Sequence, residues 1–160
     1  MLATESISTA RLTLTPLEVA DAAEMVDVLA DPALYSFTGG TPPTLAELEE
    51  RYRHQTAGAL RDGEVWHNWI LRLAGTPIGF VQATVIDEAA DLAWVVGTPW
   101  QGSGFATEAS RAVRDWLADH GATRFSAHIH PDHGASGSIA AKLGLRPAGE
   151  LDEDGESIWS

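Results

Sequence analysis

The run Gln101-Gly102-Ser103-Gly104-Phe105-Ala106 constrains this chain more than any other stretch of it. Before it stands Leu92-Ala93-Trp94-Val95-Val96, rich in residues that favour strands. After it comes Thr107-Glu108-Ala109-Ser110-Arg111-Ala112-Val113-Arg114-Asp115-Trp116-Leu117, whose apolar residues recur three and four apart. The pattern predicts a strand that ends in a glycine loop and opens directly into a helix. Such a junction leaves the N–H groups of the first helical turn unpaired, under the positive end of the helix dipole. Phosphate oxygens are its natural guests. Glycine lets a ligand approach the main chain closely and accepts dihedrals that other residues resist.

Three phosphate-binding readings compete. The Walker loop needs Gly-Lys-Ser/Thr at its end, which is absent here. The dinucleotide fingerprint needs a repeating parallel βαβ unit, whereas the strands before this loop read as an antiparallel meander. The pattern Gln/Arg-x-x-Gly-x-Gly/Ala remains, and Gln101, Gly104 and Ala106 satisfy it in order.

The rest of the chain supplies the surroundings. Arg11-Leu12-Thr13-Leu14-Thr15 alternates polar and apolar residues and predicts a first strand. Asp21 opens a helix over Ala22 to Ala30, which Asp31-Pro32 stops, because the residue before a proline is pushed out of helical dihedrals. Phe37 to Pro43 reads as loop. A second helix is expected from Thr44 to Leu60, with Thr44 and Glu47 in capping-box spacing and Arg61-Asp62-Gly63-Glu64 closing it. Val65 to Leu73 and Pro77 to Ile86 read as a hairpin around Ala74-Gly75-Thr76. The turn Asp87-Glu88-Ala89-Ala90 then leads into the strand before the loop. The helix after the loop stops at His120-Gly121. Thr123 to Ile129 is a strand and Ala135 to Leu143 a short helix ended by Gly144. Arg146 to Leu151 and Glu156 to Trp159 make a closing hairpin around Asp152-Glu153-Asp154-Gly155. The expected fold class is mixed α/β: a mostly antiparallel sheet of about seven strands flanked by about four helices, in a single domain spanning residues 1–160.

At 44% hydrophobic the chain can build a proper core. No apolar run reaches the roughly 18–20 residues of a membrane span, and Met1 to Arg11 lack the basic start and apolar stretch of a secretory signal. No membrane partner is therefore expected, and the economical location is cytoplasmic. The absence of cysteine removes disulfides, thiolate nucleophiles and thiolate metal sites. A net charge of −13 argues against nucleic-acid binding, which rests on cationic contacts to phosphates, and would attract cations, including amines. It also creates a tension, because a polyphosphate bound to so acidic a chain must rely on local backbone donors.

Taken in order, five elements carry a resemblance: Ala10-Arg11-Leu12-Thr13-Leu14; Asp91 with Trp94 three residues on; Gln101 to Ala106 with Thr107-Glu108-Ala109; Pro131-Asp132-His133-Gly134-Ala135-Ser136; and Lys142-Leu143-Gly144-Leu145. Over nearly its whole length the chain resembles the GNAT superfamily of acyl-CoA-dependent N-acyltransferases, in particular the ribosomal-protein-alanine-acetyltransferase-like (RimJ/RimL-type) subgroup. The resemblance implies a splayed sheet and acetyl-CoA as co-substrate, with no metal. The pyrophosphate would rest on backbone N–H groups from Gly102 through Ser103, Gly104 and Phe105 to Ala106, with Gln101 before them and Thr107 at the helix start. The pantetheine arm would pair like an extra strand at Trp94, Val95 and Val96, where the strand splays from its neighbour at a bulge. A backbone N–H there would stabilise the thioester oxyanion.

The resemblance further implies catalytic roles for Asp91 and Ser136. Asp91 takes the place of the subgroup's carboxylate, as general base or amine-orienting group, directly or through water; a solvated strand-end carboxylate is the plainer reading. Ser136 takes the place of the serine that hydrogen-bonds the departing sulfur, and is equally placed for a plain helix N-cap. Two departures stand out. The family's tyrosine four residues beyond Ser136 is Ala140 here, and His133 stands where asparagine is common, facing the coenzyme or titrating near neutrality. His128, His130 and His133 could suggest a metal, but they have no cysteine or clear fourth ligand and read as structural or coenzyme-adjacent. Trp66 and Trp69 should face opposite sides of their strand; core packing is the plainer reading of either, and lining an acceptor pocket the alternative for one. Glu47, Glu49 and Glu50 read as a solvated helix face.

The expected activity is transfer of an acetyl group to a primary amine in a ternary complex. The acceptor is a protein N-terminus or a small cationic metabolite, such as an amino sugar, an amino-acid-like compound or a polyamine. A non-catalytic acyl-CoA-binding sensor, or transfer of another acyl group such as succinyl, are the alternatives. A monomer or homodimer is expected.

Overall fold

Alternation along the central strands gives the sheet two apolar faces, and each is covered by its own pair of helices. The computed structural model describes residues 3–58 and 62–160. Among the described residues, eight strands form one open sheet: β1 (Ile7–Ser8), β2 (Thr13–Pro16), β3 (Glu64–Leu73), β4 (Thr76–Ile86), β5 (Ala89–Val96), β6 (Arg124–Ile129), β7 (Pro147–Leu151) and β8 (Ser157–Trp159). Their order is β1-β2-β3-β4-β5-β6-β8-β7. Every neighbouring pair is antiparallel except β5 and β6. Among the same residues four α-helices, α1 (Ala22–Val28), α2 (Leu45–Thr56), α3 (Phe105–Asp119) and α4 (Gly134–Lys142), complete the mixed α/β architecture, with short 3-10 turns between elements.

On one face Leu14, Trp69, Leu71, Val81 and Leu92 pack with Phe105, Ala109, Val113 and Leu117 of α3 and Ala140 of α4. On the other, Ile70, Phe80 and Val95 meet Ala22 and Met25 of α1 and Leu48 and Tyr52 of α2. Trp69 is fully buried and donates from Nε1 to the Glu5 carbonyl at 2.8 Å. Trp66 lies on the opposite face, against His54 of α2 with ring centroids 5.4 Å apart. The two tryptophans divide as their spacing requires.

The strand count exceeds the expected one because of β1. Thr9 folds back on Leu12, its hydroxyl accepting from Leu12 N at 3.0 Å and its own N–H bonding the Leu12 carbonyl at 2.9 Å. That turn takes Arg11 and Leu12 out of the expected first strand, which runs from Thr13 to Pro16 instead. The first helix ends at Val28 rather than Ala30. Asp31 accepts from Ala33 N at 2.9 Å and, with proline next, opens a 3-10 turn over Pro32–Tyr35. Thr44 and Glu47 form the capping box at the start of α2, whose last helical residue is Thr56. Leu60 and Arg61, the expected helix end and the first residue of its stop, lie outside the described residues. In the β3–β4 hairpin Ala74 and Gly75 both take positive φ, 49° and 86°, the mark of a tight twisted turn.

Gly79 has a positional reason to be glycine. A Cβ there would collide with the Val95 carbonyl oxygen and lie 2.9 Å from the Val96 Cα. β4 and β5 can therefore run in unbroken register from Ile86↔Ala89 to Gly79↔Val96. The bulge implied for this strand is not there. The splay has another origin: β6 pairs with β5 only at Ala89, Ala90 and Asp91, opposite Arg124, Phe125 and Ser126, and then turns away to pair with β8.

Candidate active site

Beyond Asp91 and Ser126 the two parallel strands part, and among the described residues no strand pairs with that side of β5. Backbone groups of a strand point alternately to its two sides. Those of residues 92–96 that face away from β4 therefore border an open cleft. A cavity of about 610 Å³ occupies it, lined by Trp94, Val95 and Val96 along β5. The glycine loop with the start of α3 forms one part of its wall, and α4 from Gly134 to Lys142 forms another.

At the loop end, Gln101, Gly102, Gly104, Phe105, Ala106 and Thr107 line the cavity. Gly102 and Gly104 take φ of 81° and 83°, which favour glycine. Gly104 is the N-cap of α3 and supplies no side-chain cap, so the first N–H groups of the helix are free for a ligand. Gln101 has a structural job as well: its Nε2 donates to the Val96 carbonyl at 2.9 Å and ties the loop to the end of β5. Ser103 is absent from the cavity lining, and its carbonyl faces outward to accept from Arg11 Nη1 at 2.9 Å. Arg11 also lies 4.3 Å over the Phe105 ring and donates from Nε to Glu108 Oε1 at 2.7 Å. Glu108 accepts in addition from the Thr9 hydroxyl at 2.6 Å and from Arg11 N at 2.9 Å. Burial would raise the Glu108 carboxyl, but these bonds outweigh it and hold the pKa below the usual value of 4.5. The Arg11-Leu12 start is thus a brace for the outer wall of the loop.

Along α4, His133 is the helix N-cap without a capping side chain, and Ser136 sits inside the first turn. Ser136 does not cap the helix. Its Oγ lies 3.4 Å from His133 Nε2, and both residues line the cavity. Phe37, from the α1–α2 connection, stacks on His133 with centroids 4.4 Å apart and planes at 10°. Burial, with some help from His130, pushes the His133 imidazole below its ordinary value, so it is neutral at pH 7. Ala140 is fully buried, so no hydroxyl stands at the tyrosine position. Lys142, the chain's one lysine, completes the lining. Two uncapped helix N-termini and one cation therefore converge on a single cavity in an acidic protein.

Asp91 does not line this cavity. It occupies the last position of β5 that pairs with β6, on the face shared with Ala93 and Val95, toward α1 and α2. Ser126 Oγ donates to Asp91 Oδ1 at 2.8 Å, and His128 Nε2 lies 3.4 Å from the same oxygen. His128 Nδ1 in turn meets Asp152 Oδ2 at 2.7 Å. Burial raises the Asp91 carboxyl, and the Ser126 hydroxyl and His128 only partly offset this. The bond from Glu156 N and then the one to His128 lower Asp152. Of the three histidines read together from the sequence, His128 belongs to this carboxylate chain, while His130 and His133 sit against Phe37. Sequence reasoning missed this Asp91–His128–Asp152 row, because it needs the parallel β5–β6 pairing and the β7–β8 turn to bring together residues far apart in the chain. The loop from Phe37 to Pro43, expected at the acceptor pocket, instead puts Phe37 into the wall of the β5 cavity, stacked on His133.

Residues 11–146 match the sequence model of a family described as an acetyltransferase (GNAT) domain. Among solved structures, an acetyltransferase from Agrobacterium tumefaciens str. C58 is 24% identical, with 99% of this chain and 95% of that chain covered and a TM-score of 0.76. RimL, a ribosomal L7/L12 alpha-N-protein acetyltransferase, is 15% identical over 99% of this chain and 93% of its own, with a TM-score of 0.80. The enzyme AAC(6')-Ib, solved with paromomycin and acetyl-CoA, is 21% identical over 93% and 91%, with a TM-score of 0.76. No curated protein matches this chain in sequence.

Proposed function

This chain belongs to the GNAT acetyltransferase family, and on that premise we propose that it transfers an acetyl group from acetyl-CoA to a primary amine, either a protein N-terminus or a small cationic metabolite. The observation that carries the proposal is the cavity between the splayed strands, with both the uncapped start of α3 and Ser136 in its wall. The residues fit the coenzyme. Free N–H groups from Gly102 to Thr107 suit its pyrophosphate, and Lys142 adds a cation to the same cavity wall. The open edge of β5 at Trp94, Val95 and Val96 suits a strand-like amide arm. A backbone N–H on that edge is placed to stabilise charge on the thioester oxygen.

In this reading Ser136 donates its hydroxyl proton to the departing sulfur and recovers one from solvent. Asp91 holds the incoming amine from the other face. The floor of that face, Trp66, Thr84, Asp91, Ala93, Ser126 and His128, has Ala93 exposed and Asp91 with 41% of its side chain exposed, so an acceptor can reach it. Asp91, Asp152 and Glu156 make the rim negative, which favours a cationic acceptor.

The test is thiol release from acetyl-CoA with a peptide bearing a free α-amine, spermidine, glucosamine and lysine. Turnover with at least one amine is expected, falling about 10²–10⁴-fold in Asp91→Asn or Ser136→Ala. Coenzyme binding without turnover would favour an acyl-CoA sensor. Full activity in both variants would overturn the catalytic pair.

A further inference from the structure

We infer that His128, held by Asp152 and paired across the cleft with Asp91, is the group that takes the proton from the acceptor ammonium; this rests on the acetyl-transfer reading above. The contact to Asp152 at 2.7 Å engages Nδ1, so the neutral ring carries its proton there and keeps its lone pair on Nε2. That lone pair lies 3.4 Å from Asp91 Oδ1. A carboxylate and an imidazole lone pair at this separation repel each other unless a proton or an ammonium lies between them. The pair is open to solvent, with 38% of the His128 side chain and 41% of that of Asp91 exposed, whereas the Asp152 behind it is 16% exposed. By strand alternation His128 shares the acceptor face with Asp91 and Ser126, while Ala127 and Ile129 turn into the α3-side core.

The division of labour follows from basicity. Taking a proton from a lysine-like ammonium disfavours an ordinary carboxylate by about 10⁶-fold but an ordinary imidazole by only about 10⁴-fold. Asp91 Oδ1 is also occupied by Ser126. Asp91 therefore orients the amine, and His128 accepts its proton. R–NH₃⁺ gives one proton to Nε2, and the freed lone pair attacks the thioester carbon. The C–S bond breaks, and the nitrogen's second proton leaves as the sulfur gains one through Ser136. The imidazolium then returns its proton to water. The sum is R–NH₃⁺ and thioester giving amide, thiol and one H⁺.

The groups facing His128 are Asp91 from β5 and Asp152 and Glu156 from the β7–β8 turn. Burial alone would lower the imidazole, but the bond to Asp152 and these negative charges hold it above 6.5. Turnover should thus rise with pH through a limb above that value.

The experiment measures thiol release against pH with the best amine of the panel, in wild type, His128→Gln, His128→Ala and Asp152→Asn, with coenzyme affinity and melting temperature as folding controls. The expected result is a loss in kcat of about 10²–10⁴-fold in His128→Gln at unchanged coenzyme affinity. Imidazole should partly rescue His128→Ala. In Asp152→Asn the limb should move to lower pH, because a negative charge beside the imidazole is gone; if the His128 variants do not fold, this limb decides alone. Wild-type turnover with His128→Gln active and its limb unmoved overturns the role of His128 and leaves acetyl transfer standing. Lost activity without imidazole rescue and without a limb shift in Asp152→Asn overturns it in favour of a structural role. Absence of thiol release with every amine overturns acetyl transfer, and this inference with it.

Discussion

Glu108→Gln should loosen the coenzyme loop without touching the coenzyme. The carboxylate takes Thr9 Oγ1 and Arg11 N on Oε2 and Arg11 Nε on Oε1. An amide can keep the first two on its oxygen, but its NH₂ then faces the Arg11 Nε–H, donor against donor. Hydrogen bonds to charged groups contribute about 1.5–3 kcal/mol. With 43% of the Arg11 side chain exposed, solvent screening reduces this one to about 1 kcal/mol. Arg11 is then free to leave the Ser103 carbonyl and the Phe105 ring, for a total loss of about 1–2 kcal/mol. In a chain of 160 residues that lowers Tm by about 2–8 °C. Because Ser103 lies in the loop, the dissociation constant for coenzyme A should rise roughly 3–10-fold, or about 0.7–1.4 kcal/mol. Urea unfolding and calorimetric titration with coenzyme A measure the two effects. The pH dependence has a definite sign. Glu108 is depressed in the folded state, so its contribution is complete above 4.5 and is lost as pH falls through its lowered folded value. Wild-type and variant stabilities should converge in acid. Equal stability and equal coenzyme affinity at neutral pH would refute the brace. So would additive effects of Arg11→Met and Glu108→Gln in a double-mutant cycle.

Two further outcomes follow from single residues. Lys142→Gln should weaken coenzyme A binding about fivefold and flatten its salt dependence, since it removes a solvent-exposed cation worth about 1 kcal/mol; equal titrations at low and high salt would show that Lys142 does not reach a phosphate. His67 is buried, with Nδ1 2.8 Å from the Thr4 hydroxyl, and burial followed by the charge of His120 lowers its pKa. The folded state resists protonating it, so stability should be full above 6.5 and decline as pH falls below that value. Denaturation of wild type and His67→Gln across that range checks this, and parallel pH curves would rule His67 out as the cause.

Local features of the sequence reported local structure well. The glycine loop, the Thr44–Glu47 capping box and the Ala74-Gly75 turn are each set by residues within a few positions of one another, so their chemistry can be read from the chain. β1 escaped notice because two residues carry no periodicity; only the Thr9–Leu12 turn creates it. The site divides the same way. The loop, Ser136 and the edge at Trp94 to Val96 lie on consecutive residues or recognisable motifs, and the structure gathers most of them around one cavity. The Asp91–His128–Asp152 row was invisible, although each residue was in view. Asp91 and His128 are brought together by the one parallel strand pair in the sheet, and Asp152 by a hairpin turn that follows two elements later. Contacts of that range depend on topology, which spacing along the chain does not encode.

The net charge of −13 seemed to oppose a polyphosphate ligand, and the structure shows why it need not. On the coenzyme side the cavity is lined by neutral residues, two helix N-termini and Lys142, with no carboxylate among the described residues in its wall. Glu108, the nearest acid in sequence, is neutralised by Arg11 on the outside of the loop. Carboxylates gather instead on the opposite face, where Asp91, Asp152 and Glu156 surround His128. Exposed charges farther apart than about 8–10 Å are largely screened at physiological salt, so local composition outweighs the net charge. The sheet separates a site suited to an anionic donor from one suited to a cationic acceptor. The gap between β5 and β6 is where the two meet, which is where the proposed transfer needs an amine to reach a thioester.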